Sequence, residues 1–150
     1  MIMTEGTTAE WLKQELAFIC SARAGELNAK LAPSFVSCDE EAREATFRFP
    51  VGEWAINGLG TLHGGITYTM MDLAMSIVIY CYTRKSIPPT ITMTVNYQRP
   101  VPRDGDILIR ARLQSAGKRN ATAYCEALLP ESRKIAASAI GTYAVIEPRE

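Results

Sequence analysis

The chain contains a single histidine, which excludes multi-histidine metal sites and makes resident zinc an unsuitable expectation. Its four cysteines, Cys20, Cys38, Cys81 and Cys125, include no pair at metal-ligand spacing. We read them as reduced packing residues of a cytoplasmic protein rather than a disulfide framework. Net charge is absent too, since 16 Lys and Arg offset 16 Asp and Glu. Such a chain has no overall field to gather nucleic acid or an anionic membrane, although a local basic cluster still suits a small anion. No basic region precedes the apolar residues of MIMTEGTTAEWLKQELAF, so no signal peptide is expected there. No serine lies in a nucleophile-elbow pattern, which argues against a Ser-His-Asp triad. Repeats, low-complexity segments and linkers are missing as well. With 47% hydrophobic and 21% charged residues, the chain reads as one folded domain over 1–150, with residues 1–30 as an N-terminal helical extension.

What is present is organised around His63–Tyr82, HGGITYTMMDLAMSIVIYCY, a His-Gly-Gly turn followed by a long apolar segment whose only charge is Asp72. Its length approaches the ~20 residues of a membrane span. A carboxylate at mid-membrane costs at least ~2.5–3.5 kcal/mol, and the rest of the chain alternates like a half-buried sheet. We therefore read it as a core helix, apolar nearly all round and so buried nearly all round.

Ahead of it, Thr7 and Glu10 form a capping-box signature. Leu12, Leu16 and Ile19 then recur at helical spacing, predicting an amphipathic helix ending near Gly25. Strands are expected at Ser34–Cys38 and Ala42–Phe49, then a Gly-rich loop over 51–62. After the core helix, alternation predicts strands at Ile91–Arg99, Ile107–Leu113, Ala121–Leu129 and Ile135–Ile146. The last two carry Ala121, Ala123, Ala127, Ala136, Ala137, Ala139 and Gly141, small residues that let a helix approach a sheet. The expected class is α+β, a curved antiparallel sheet of five to six strands wrapping one long helix, with an extra helix at the N-terminus.

Gly64 and Gly65 open the core helix, where backbone N–H groups have no internal partner and meet the positive end of the dipole. That suits an anion or a developing oxyanion. A plain loop-to-helix turn would use the same residues. Asp72 lies nine residues after His63, or ~13.5 Å of helical rise, whereas acid–base work needs contact near ~3 Å. Either Asp72 is unrelated to the Gly64 site, or a second copy of the chain completes that site through a two-fold axis.

The pattern Asn57, His63-Gly64-Gly65, Asp72, Thr90 and Asn96-Tyr97-Gln98-Arg99-Pro100 resembles the hotdog-fold acyl-CoA thioesterases, in the branch of the phenylacetate-pathway enzyme and thioesterase superfamily member 2. The similarity runs from about Phe47 to Val145. It implies a hotdog fold, an acyl-CoA substrate, and active sites at the interface of a homodimer or a dimer of dimers. It implies that the Gly64 N–H polarises the thioester carbonyl and that Asn57 orients the carbonyl or the attacking water. Asp72 of the other copy would be general base or nucleophile, Thr90 would support that carboxylate, and His63 would lie near the thiolate. Gly65, Tyr68, Met71, Arg99, Lys118 and Arg119 are the expected substrate contacts, with Lys118-Arg119 preferred for the CoA phosphates over Arg84, Lys85 and Arg103. Met70, Met71, Met75, Tyr68 and Tyr97 suit an acyl pocket or, equally, a core. No metal or redox cofactor is expected, since CoA is part of the substrate; nor is a nucleic-acid or membrane partner. The alternative reading is a hotdog acyl-CoA binding or sensing module without turnover. A hotdog hydratase or dehydratase is disfavoured, because that chemistry places its histidine in a different motif.

Overall fold

Apolar faces of strands must cover something, and here they cover the helix that follows the His-Gly-Gly turn. A computed structural model describes residues 6–22 and 24–147; the ends of the expected 1–150 domain, Met1–Glu5 and Pro148–Glu150, and Arg23 of the 1–30 extension lie outside the described residues. The chain runs α1 (Thr8–Ser21), α2 (Leu27–Leu31), β1 (Ser34–Asp39), β2 (Glu44–Pro50), a 3₁₀ turn (Glu53–Ala55), α3 (Gly64–Thr83), β3 (Thr90–Tyr97), β4 (Asp106–Ala116), β5 (Asn120–Leu128) and β6 (Ile135–Ala144). The strands form one six-stranded antiparallel sheet in the order β1-β2-β4-β5-β6-β3. This is the α+β arrangement expected, with β1 and β3 at the edges.

Helix α3 would pass for a membrane span by length and composition. Its Met70, Met71, Ala74, Met75 and Val78 are instead fully buried against the sheet. The small residues of β5 and β6 admit it: Ala121, Ala123 and Ala127 are inaccessible, and Ala136, Ala137 and Ala139 nearly so. On β2, Ala45, Phe47 and Phe49 turn inward at period two, as a half-buried strand requires. Phe47 lies opposite Ile109 of β4. Phe47→Ala should therefore leave a cavity and cost about 3–5 kcal/mol, read as a lower urea midpoint at unchanged slope.

Several boundaries differ from the sequence reading. Helix α1 has the expected capping box, Thr7 and Glu10 each bonding the other's backbone N–H, and buries Leu12, Leu16 and Ile19. It ends at Ser21 rather than near Gly25. A one-turn helix, α2, follows, too short to show periodicity, and is stopped by Ala32 in the left-handed region at φ 50° before Pro33. β2 begins at Glu44, not Ala42, because Ala42 and Arg43 belong to a turn: Ala42 N–H donates to Asp39 Oδ1, and Arg43 has φ 52°. β4 continues past Leu113 to Ala116 through an irregularity in its pairing with β5.

Candidate active site

Edge strand β3 lies alongside α3, and side chains tie the two together at three points. Thr90, the first residue of β3, donates its hydroxyl to Asp72 Oδ1 at 2.8 Å. Midway, the Tyr68 hydroxyl donates to the Met93 carbonyl at 3.4 Å. At the far end, the Tyr97 hydroxyl donates to the Gly64 carbonyl at 2.6 Å. The two chemical ends of α3 thus lie at opposite ends of the seam between α3 and β3.

At the Gly64 end, His63 caps the helix in extended backbone conformation, its Nδ1 accepting the Gly65 N–H at 3.0 Å. The imidazole proton is therefore at Nε2, and Gly65, expected among the substrate contacts, has its donor occupied. The N–H of Gly64 donates to no group among the described residues, which leaves it as the open donor at the helix start. Gly64 lines a cleft of about 320 Å³ together with Asn57, Leu62, Thr67, Tyr97, Arg99 and Val101, among others. Asn57 reaches this cleft, but its side chain mainly holds the preceding loop: Oδ1 accepts from Leu59 and Thr61 N–H, and Nδ2 donates to Thr61 Oγ1. One Nδ2 proton is left over for a ligand. Arg99 Nη1 donates to the Ile135 carbonyl at 2.7 Å, which holds the guanidinium beside the cleft.

At the other end, Asp72 is half-buried. Besides Thr90, its Oδ1 accepts from the Tyr143 hydroxyl of β6 at 2.9 Å. Tyr143 is fully buried, and burial, then the Asp72 charge, pushes its phenol far above the ordinary range. Sequence reasoning missed it: the period-two pattern turns it inward, but nothing local says that its hydroxyl meets a carboxylate. Met71, expected as a substrate contact, is fully buried with Met70 and Met75. Tyr68 and Tyr97 remain exposed along the α3–β3 seam.

The basic candidates separate cleanly. Arg84 stacks on the Trp11 ring at 3.7 Å, Lys85 pairs with Glu147 at 2.6 Å, and Arg103 pairs with Glu53 at 2.5 Å. Lys118 and Arg119 have no ion-pair partner among the described residues. They lie in the β4–β5 turn, where the Arg119 carbonyl accepts from Val145 N–H. That places them at the Asp72 end of the sheet, opposite Arg99.

The four cysteines are free thiols; burial raises Cys81 to about 12, so it stays protonated. Among the described residues no group of His, Cys, Asp and Glu is arranged to hold a metal.

The family model of the thioesterase superfamily matches residues 59–136. Human acyl-coenzyme A thioesterase 13 is 30% identical over 87 residues, 58% of this chain and 56% of that protein, so the match spans little more than half the relative's length. Zebrafish thioesterase superfamily member 2 superposes with a TM-score of 0.83 at 22% identity, covering 94% of this chain and 100% of that one. A Streptococcus mutans protein solved with acetyl-CoA bound superposes at 0.70 and 19% identity, covering 79% of this chain and 91% of that one.

Proposed function

This chain belongs to the thioesterase superfamily, and from that premise we propose that it hydrolyses acyl-CoA thioesters at sites shared between two copies of itself. The observation that carries the proposal is the pairing of an open helix-start donor, Gly64 N–H, with a carboxylate, Asp72, held by two hydroxyls further along the same helix. Along α3 the two are about 12 Å apart, too far for one substrate carbonyl to meet both.

A second copy laid antiparallel along α3 brings the two ends together twice. The surface suits this. β3 is an edge strand, paired with β6 on one side only, and its Ile91 and Tyr97 and the nearby Tyr68 are exposed at 55%, 52% and 37%. An apolar edge of that kind is ordinarily covered or paired.

In the proposed reaction the thioester oxygen lies on Gly64 N–H of one copy, where the helix dipole and the open donor stabilise charge as it develops. Asp72 Oδ2 of the other copy takes a proton from water as the water oxygen bonds to the carbonyl carbon. The C–S bond then breaks, and the leaving thiolate takes up the proton, giving a carboxylic acid and free CoA. Attack by Asp72 itself through an anhydride is the variant of the same step. Single turnover in ¹⁸O-water separates the two, since only the anhydride route can leave label in Asp72. Neither route uses a metal or redox cofactor. Lys118 and Arg119, which have no ion-pair partner among the described residues and lie at the Asp72 end, are the proposed contacts for CoA phosphates. The acetyl-CoA seen on the Streptococcus mutans neighbour supports this ligand class.

The test is free-thiol release from a panel of aromatic, medium-chain and long-chain acyl-CoAs. Turnover with at least one of them is expected. Tight binding of acyl-CoA with no thiol release would overturn the reading in favour of a binding module.

A further inference from the structure

Thr90 and Tyr143 are directly opposed residues of β3 and β6, and their hydroxyls converge on one oxygen of Asp72. The pairing of β3 with β6 is irregular between Thr90 and Thr92, the kind of local kink that re-aims a side chain. Gly141 sits two residues before Tyr143, on the same face of β6. A Cβ at Gly141 would lie 2.7 Å from Tyr143 Cε2 and 3.3 Å from Met75 Cε. Real side chains do not approach that closely, so the ring occupies space that only glycine leaves open.

We infer that Tyr143 is a positioning residue for Asp72, seated in a notch made by Gly141, and that it fixes the orientation in which the free carboxylate oxygen is presented to the substrate. This rests on the thioesterase reading for its consequence, though not for its geometry. A carboxylate on a helix turns about two side-chain torsions, and one hydrogen bond leaves much of that freedom. Thr90 alone is a weak anchor, because it is exposed at the start of an edge strand. Tyr143 is fully buried, packed between β6 and α3, and also within 3.4 Å of the Asp72 carbonyl. Both hydroxyls engage Oδ1, and no donor among the described residues reaches Oδ2. The ring is thus a rigid arm that spends its one proton on the oxygen away from the chemistry. Since burial and the nearby carboxylate keep the phenol protonated, the arm remains a donor wherever the enzyme is folded.

A tyrosine that merely filled the core would be replaced by phenylalanine without catalytic effect, and that difference is the test. In Tyr143→Phe, kcat should fall roughly 10–100-fold with KM within about twofold, as when an orienting partner is removed while binding is kept. Gly141→Ala keeps the hydroxyl but displaces the ring, and should lower kcat in the same sense at unchanged KM. A second readout needs no substrate: the Asp72 side-chain rotamer, from crystal structures or NMR couplings, should be single in the wild type and mixed in Tyr143→Phe. If kcat stays within twofold in both variants, or Asp72 keeps one rotamer without the hydroxyl, the inference is overturned. If the wild type releases no thiol from any acyl-CoA, it is the thioesterase reading that fails, and the rotamers alone decide the role of Tyr143.

Discussion

Asp72→Asn should lower kcat by about 10²–10⁴-fold, the range general-base removal commonly shows, with acyl-CoA binding and the thermal midpoint nearly unchanged. Asparagine has the same shape, and its amide oxygen can still accept from Thr90 and Tyr143, the two hydroxyls that hold Oδ1. The substitution thus removes basicity and charge while keeping the local hydrogen bonds. The folded state loses no packing, and a half-buried carboxylate becomes a neutral amide that is easier to desolvate. The fall should appear equally in kcat and kcat/KM, because the contact being lost is made only as water or Asp72 attacks. Steady-state thiol release together with a melting curve checks both halves. Hydrolysis near wild-type rates in a folded Asp72→Asn protein would remove Asp72 from the mechanism.

Much of this was legible from residue order alone, for identifiable reasons. Strands and the core helix announce themselves through period two and an all-round apolar segment, so β3, β5, β6 and α3 were placed closely. The distance problem at Gly64 and Asp72 followed from helical rise alone. Thr90 on Asp72 was anticipated only through the family resemblance. What stayed hidden depends on contacts between residues remote in sequence. Tyr143 meets Asp72 across 71 residues, and only the β3–β6 register brings them together. Met71 looked as available as Tyr68, because an all-apolar helix does not reveal which of its faces the sheet leaves open. The Lys118 and Arg119 pair stands apart from Arg84, Lys85 and Arg103 only once their partners are seen.

Gly64→Pro isolates the other half of the site. Gly64 is the first helical residue of α3, where proline is favoured because the N–H it removes has no place in the helix. His63, with φ −62° and ψ 130°, already has the extended conformation that a residue before proline requires. A Cβ at Gly64 would lie 3.4 Å from the Tyr97 ring, an ordinary contact. The variant should fold as the wild type does while losing the proposed oxyanion donor, and kcat should drop by about 10²–10³-fold. Mixing it with Asp72→Asn then tests the shared site directly. In a mixed dimer, one site has both defects and the other draws intact Gly64 and intact Asp72 from different copies. Random exchange makes about half the dimers mixed, so roughly a quarter of wild-type activity should return from two nearly inactive proteins. If each chain carried its own complete site, mixing would restore nothing. An active monomer in solution would sink the shared site in the same way, since within one copy the helix itself keeps the donor and the carboxylate apart.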